Sequence, residues 1–240
     1  MVLQVVLKGM RRLFAKGPRD TAKWVRYHLH ERYREWSLGI DTAGSDEWKA
    51  SLQNPLLHVY EPLSYEAIDA AFRAVEIRPG EDVLLDYGCG KGRIITVGAT
   101  HLFRRVIGIE LLPELAAIAR QNLTRAGKRF NCLDTEVVTI DATTYEVPLD
   151  VSVIFLFNPF RGEVLRKVQS QIHLSWLRRR RPLTIVYMNP AADEDSFAAC
   201  DWLTLQKTLP TMWTAMRLVI YRSHDHSLPF SESRISTAHE

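Results

Sequence analysis

From Pro62 onward, short apolar runs of strand length alternate with segments whose apolar residues recur at helical spacing. Few folds accept that pattern. Strands separated by helices line up parallel and need cover on both faces of the sheet. The strand candidates are Val83-Leu84-Leu85, Val106-Ile107-Gly108-Ile109, residues 136–140, Val151–Phe157 and Leu183–Tyr187. Between them, Ser64 is a plausible N-cap for a helix that turns Ala67, Ile68, Ala71, Phe72 and Val75 to one side. A second helix runs from a glycine-rich turn to about Phe103, a third is opened by Pro113 and closed by Gly127, and a fourth carries Val164, Leu165, Val168, Ile172 and Trp176 on one face. Val151–Phe157 has no polar alternation, which suits the middle of a sheet. Trp202–Leu209 and Met216–Tyr221 flank a turn near Pro210, so the sheet should finish in an antiparallel hairpin.

The first sixty residues follow another pattern. Residues 1–19 carry Lys8, Arg11, Arg12, Lys16 and Arg19 without an acid, and Val2, Leu3, Val6, Leu7, Met10, Leu13 and Phe14 form one apolar face. A helix packed on its own domain is favoured over contact with a membrane surface or a transit peptide. A second helix is expected from about Thr21 to Trp36, then a loop from Gly39 to Gly44. Trp24, Tyr27, Tyr33, Trp36, Trp48 and Tyr60 need a surface to cover, and the following domain is the natural one. The expected division is a helical extension over 1–60, the α/β domain over 61–224 and a polar tail over 225–240.

With 46% apolar residues in 240, the chain can bury a large core, and disorder is excluded. No apolar run approaches the ~18–20 residues of a membrane span. Cys89, Cys132 and Cys200 are odd in number and lack metal-ligand spacing, which points to a reducing compartment, the cytoplasm, and to no bound metal. A net charge of +3 does not by itself imply a nucleic-acid partner.

The stretch that carries chemistry is Asp86-Tyr87-Gly88-Cys89-Gly90-Lys91-Gly92, after a strand and before a helix. Closely spaced glycines let a backbone turn tightly and approach a ligand. A dinucleotide loop reads G-x-G-x-x-G, whereas here the spacing is G-x-G-x-G with an acid ahead of it. Asp86 would repel a pyrophosphate and suits an ammonium group. Glu110 ends the next strand, placed to accept both ribose hydroxyls, and Asp141 ends the third, placed to accept from the adenine amine. Ammonium, ribose and adenine without phosphate describe S-adenosylmethionine.

On these residues, the chain from about 60 to 222 resembles the class I S-adenosylmethionine-dependent methyltransferases. Asp86–Gly92 looks like their first motif, Glu110 their ribose acid and Asp141 their adenine-edge acid. The resemblance implies a doubly wound, mostly parallel seven-stranded α/β sheet with helices on both faces, a terminal antiparallel hairpin and, here, an N-terminal helical extension. It implies that Asp86, Gly88, Gly90, Gly92, Glu110, Leu111, Asp141 and Ala142 bind the cofactor, with Leu111 against the adenine and Tyr60-Glu61-Pro62 as a lid.

The fourth strand leads into Asn158-Pro159-Phe160. Methyl transfer needs the acceptor positioned and desolvated beside the methyl group. An Asn carbonyl and a Pro backbone carbonyl can hold an amine while an aromatic ring covers it. The triplet resembles the Asn-Pro-Pro-Tyr/Phe motif of amino-group methyltransferases but lacks the second proline. Asn158, Pro159 and Phe160 are therefore the candidate acceptor site, with nitrogen as the acceptor atom. A protein side chain or small molecule is expected in preference to RNA, because no separate basic module is visible. A non-catalytic cofactor-binding subunit, and less readily an NAD-dependent oxidoreductase, are the alternatives. Arg178–Arg181 reads as a helix-closing cation run, His224-Asp225-His226 as a polar tail, His28 and His30 as surface groups, and Cys89 as no nucleophile.

Overall fold

The computed structural model describes residues 2–44, 60–157, 160–190, 196–211 and 216–224, with side chains from residue 17 onward. Seven strands form one sheet: β1 (Val83–Tyr87), β2 (Arg105–Glu110), β3 (Thr135–Thr139), β4 (Val153–Phe157), β5 (Thr184–Met188), β6 (Leu203–Pro210) and β7 (Arg217–Ser223). Their order is β3-β2-β1-β4-β5-β7-β6. The first five are parallel, whereas β7 runs antiparallel to both β5 and β6. Strand order reverses between β1 and β4, and in open α/β sheets ligands bind beyond the carboxyl ends at such a point.

The sequence accounts for the elements. The helix α2 (Tyr65–Ala74) starts at Ser64, whose hydroxyl accepts from the Ala67 N–H at 3.2 Å, and buries Ile68, Ala71 and Phe72. The helices α3 (Arg93–Ala99), α4 (Pro113–Ala126) and α5 (Gly162–Arg178) follow β1, β2 and β4. Alternate residues of each central strand feed two cores. Leu84, Val106, Val153 and Phe155 meet α2 and α3 on one face, while Leu85, Ile107, Ile154 and Ile185 meet α5 on the other. All five β4 residues are buried or half-buried, as an unbroken apolar run predicts. That strand begins two residues later than the apolar run does. The strand β6 is exposed at every residue after Leu203, and its pairing with β7 shifts register between Leu205 and Lys207.

The N-terminal region is a single helical element, α1 (Val2–Leu38), broken at Gly17, where φ is +80° and Pro18 opens the second segment. The two expected helices are thus joined by a kink. The second segment ends in the core at Leu38 and Ile40. The expectation that its aromatics are covered fails in part: Tyr33 stays 61% and Trp36 76% exposed. They lie on the outer side of the helix, away from the sheet. The basic run is structural, since the Arg180 guanidinium lies 3.7 Å from the Trp176 ring centre and Arg181 donates to Val151 O and Ser175 O. No described helix is long and apolar enough to cross a membrane. The tail from Asp225, the acceptor candidates Asn158 and Pro159, and Trp48 lie outside the described residues.

Candidate functional site

The loop between β1 and α3 folds over the end of β2. The N–H groups of Gly88 and Cys89 both donate to Ile109 O at 2.9 Å. Gly90 has φ +54° and donates to Glu110 Oε2 at 2.8 Å, while the other carboxylate oxygen accepts from the Leu112 N–H at 2.9 Å. Glu110 thus clips the glycine loop to the start of α4. Burial pushes its carboxyl up, against the pull of these backbone donors. Gly92 has φ +83°, a backbone that favours glycine, and a Cβ there would stand 3.0 Å from the Ala119 Cβ, so a side chain would crowd α4.

Asp86 is the anomaly. It is 1% exposed, and neither carboxylate oxygen has a hydrogen-bond partner. Burial first, and the nearby Glu110 charge second, hold its carboxyl well above the usual range. A buried charge without a partner is strongly unfavourable. Cys89 is buried too, and its thiol is pushed up chiefly by burial. Its Sγ occupies the space beside Gly108, where a Cβ would lie 2.8 Å away, which is a packing role.

A cover sits on the loop. The ring of Tyr60 lies on Gly90, where an added Cβ would be 2.4 Å from its Cδ2, and its hydroxyl donates to Thr42 O. Burial raises that phenol far above its ordinary value. Lys91 Nζ donates to Ala43 O at 2.6 Å, and Asn122 bonds both the N–H and the carbonyl of Asp41 at 3.1 Å. The anchor is Arg93, the first residue of α3 and 5% exposed. It bonds Glu31 at 2.6 Å, Glu35 at 2.9 Å, Thr42 Oγ1 at 2.6 Å and Leu63 O at 2.8 Å. Two acids of α1, the 39–44 loop and the Leu63 segment therefore meet on one cation next to the glycine loop.

Beneath this cover, a cavity opens at the carboxyl edge of the sheet, at the order reversal. Of the candidate cofactor residues, Tyr60, Gly88, Gly90, Glu110, Leu111, Asp141 and Ala142 line it. Asp86 and Gly92 are not on its wall: Asp86 lies under the loop, and Gly92 faces α4. Leu111 is 43% exposed, an apolar side chain held in the open at the mouth. Asp141 Oδ1 accepts from the N–H and the hydroxyl of Thr143, both at 2.8 Å, which fixes the carboxylate. Phe160 lies on the wall with its ring edge-on to Tyr87, centroids 6.2 Å apart.

Sequence reasoning missed Arg93 and Asn189. Asn189 lines the same cavity and, among the described residues, is the one non-glycine with positive φ, at +57°. Its N–H is held by Arg217 O at 2.6 Å. A signal existed, because Phe157-Asn158-Pro159 and Met188-Asn189-Pro190 repeat the same dipeptide, and Phe157 pairs with Met188 across β4 and β5. Arg93 had no such signal; its partners lie about sixty residues away in sequence.

Residues 85–168 match a family model described as a methyltransferase domain. Two curated relatives, each called an uncharacterized RNA methyltransferase, come from Chlamydia muridarum and Chlamydia trachomatis. They are 31% identical over 116 and 113 residues, 46% of this chain. The chain spans only 26% of the length of either relative. Among solved structures, an RNA methyltransferase from Salinibacter ruber in complex with S-adenosyl-L-homocysteine aligns over 71% of this chain and 97% of its own. Its TM-score is 0.50 and its identity 21%. The expectation that a protein side chain or small molecule is preferred to RNA is corrected by the names of the two curated relatives. It rested on the lack of a visible basic module and on a small net charge, and net charge averages over acids that pair internally, as Glu31 and Glu35 do with Arg93. The family match runs from β1 into α5, about a third of the chain, and the sheet order around it is that of the Rossmann-like methyltransferase fold.

Proposed function

We propose that this chain is an S-adenosylmethionine-dependent methyltransferase whose acceptor is RNA. The observation that carries the cofactor assignment is Asp86, a buried carboxylate with no partner directly under a glycine loop that walls a cavity. A ligand ammonium beside that loop would compensate the charge, whereas a pyrophosphate would add to it. The other residues fit the rest of the molecule. Glu110 keeps lone pairs for the two ribose hydroxyls while it holds Gly90 and Leu112. Leu111, Leu115 and Ile140 offer apolar contact for the adenine, and Asp141 and Ala142 border its edge.

When bound, the cofactor supplies a methyl group on a sulfonium. The chain's own task is to hold the acceptor in line with that group and to exclude water. Tyr60, fixed over Gly90, closes one side. Phe160 closes the other with a flat apolar wall. Asn158 and Pro159 follow β4 in the sequence, and we assign them the acceptor nitrogen, which an Asn carbonyl and a Pro carbonyl can orient through its N–H groups. No acid or base is needed for the displacement itself. The RNA acceptor rests on the names of the two curated relatives. The three free cysteines suit a reducing cytoplasm.

Titration calorimetry with S-adenosylmethionine and with NAD, followed by radiolabelled methyl transfer to a fractionated extract, tests this reading. Heat with the first ligand alone and label in the RNA pool are expected. No heat with S-adenosylmethionine would overturn the cofactor assignment, and label confined to protein would overturn the acceptor.

A further inference from the structure

We infer that the outer face of α1 is a docking surface for single-stranded RNA that feeds the cavity, an inference that rests on the RNA methyltransferase reading above. The face is built by charge segregation. Between Gly17 and Leu38 the helix carries the acids Asp20, Glu31 and Glu35. Glu31 and Glu35 turn inward to Arg93, and Arg34 is paired with Asp69. Left exposed are Arg19, Lys23 and Arg32, against Asp20 as the exposed acid. Arg19, Lys23, Arg26, His30 and Tyr33 recur at helical spacing on the side opposite Glu31 and Glu35.

At the end of this cationic stripe stand two aromatic rings without cover. Tyr33 and Trp36 are 61% and 76% exposed, with ring centroids 6.1 Å apart and planes tilted by 39°. Cations along a track with exposed rings beside it are what single strands require: phosphates take the charges and unstacked bases take the rings. A regular RNA duplex offers phosphates but no free base faces.

The face also leads to the site. Residues 39–44 leave the end of α1, where Gly39 abuts the exposed Arg129, with 3.5 Å from a built Cβ to Nη1. The same loop continues through Asp41 on Asn122 to Thr42 on the Tyr60 hydroxyl, at the cavity wall. From Arg19 to Trp36 the helix spans about 26 Å at its standard rise, so several nucleotides fit before the strand reaches the loop. Pro18, Ala22, Val25 and Leu29 line a shallow groove together with Arg26, His30 and Tyr33 of the track, so a protein or a bilayer is the rival occupant.

The test uses the full chain and its tryptophan fluorescence, with a 20-nucleotide oligouridylate, a self-complementary RNA duplex and vesicles containing anionic phosphatidylglycerol as probes. The single strand should bind most tightly. Trp36→Ala with Tyr33→Ala should weaken it about tenfold or more, followed by anisotropy of a labelled strand, as loss of base stacking implies. Lys23→Gln should lower the slope of log affinity against log salt by about 0.7. All these positions are exposed, so thermal melting and S-adenosylmethionine affinity should stay at wild-type values. Unchanged strand affinity in the aromatic variant overturns the docking face even when the wild type methylates RNA. Tighter binding of vesicles or duplex than of the single strand overturns it as well. Failure of the wild type to bind or methylate any RNA overturns both this face and the acceptor assignment.

Discussion

Asp86→Asn should make the ligand-free protein more stable and the cofactor complex weaker. Asp86 is 1% exposed with both oxygens unpartnered, so above its ordinary range the folded chain must either hold a proton that the unfolded chain releases or carry a desolvated carboxylate with nothing to offset it. An uncompensated buried ion costs several kcal/mol, a neutral amide in the same place about 1–3 kcal/mol, and the difference is about 2 kcal/mol. In a chain of this size, that corresponds to a rise in melting temperature of about 4–8 °C. The sign with pH follows from the raised carboxyl of the folded state. Between the ordinary value of 3.8 and the raised one, the folded chain holds a proton that the unfolded chain has released. Wild-type stability therefore falls as pH rises through that window, and the Asn variant, which does not titrate, should lack the slope. The gap between the two proteins is widest at alkaline pH. Cofactor binding should move the other way, because a negative charge under the loop favours an ammonium above it; acting without direct contact, its loss should cost less than the roughly 10- to 150-fold of a charge-assisted hydrogen bond. Calorimetry with S-adenosylmethionine and differential scanning from pH 4 to pH 9 read both effects. Methylthioadenosine, which has no ammonium, should bind the two proteins alike. A variant that melts lower than wild type, or binds S-adenosylmethionine equally well, would refute the reasoning.

Other substitutions probe the cover and the acceptor edge. Arg93→Met should cost about 3–5 kcal/mol in denaturant unfolding, because Glu31 and Glu35 lose their cation while staying half-buried; a cost under 1 kcal/mol would mean the cluster is solvated. Gly90→Ala forces a side chain into a left-handed backbone and against Tyr60. Tyr60→Ala should recover the clash but not the backbone term of about 1–2 kcal/mol, so a double-mutant cycle should give clear coupling. Asn158→Ala should leave cofactor affinity intact and slow methyl transfer about 10²-fold, with wild-type turnover as the contrary result. Asn189→Gly keeps the +57° backbone and should fold normally, whereas Asn189→Ala should lose about 1 kcal/mol in thermal unfolding.

Much of the α/β frame was readable because it depends on local pattern. The Val151–Phe157 run, the Ser64 cap and the Pro113 helix start each report their own surroundings, and all three recur in the structure. The spacing of Gly88, Gly90 and Gly92 likewise located a loop whose backbone needs positive φ at every glycine. What escaped depends on contacts between distant segments. Glu110 was read as a ligand acid, yet it is also the clip for Gly90 and Leu112, a role no spacing encodes. Tyr33 and Trp36 were expected to lie against the following domain, because aromatic content does not state which side of a helix is covered. Arg93 sits in an apolar helix start, where a buried cation is unexpected until Glu31 and Glu35 are seen to reach it.

The strand β6 has a further consequence. It forms the outer edge of the sheet, and an edge with free backbone groups is a template on which another chain can add a strand. Here the register shift between Leu205 and Lys207 interrupts the even row of donors and acceptors. Lys207 is drawn back to Ala74 O at 3.1 Å, and Pro210, which has no N–H to offer, closes the strand. An incoming chain would find at most a few consecutive partners before the row breaks. Aggregation through this edge is thereby discouraged, although β6 has Leu205 and Leu209 in water.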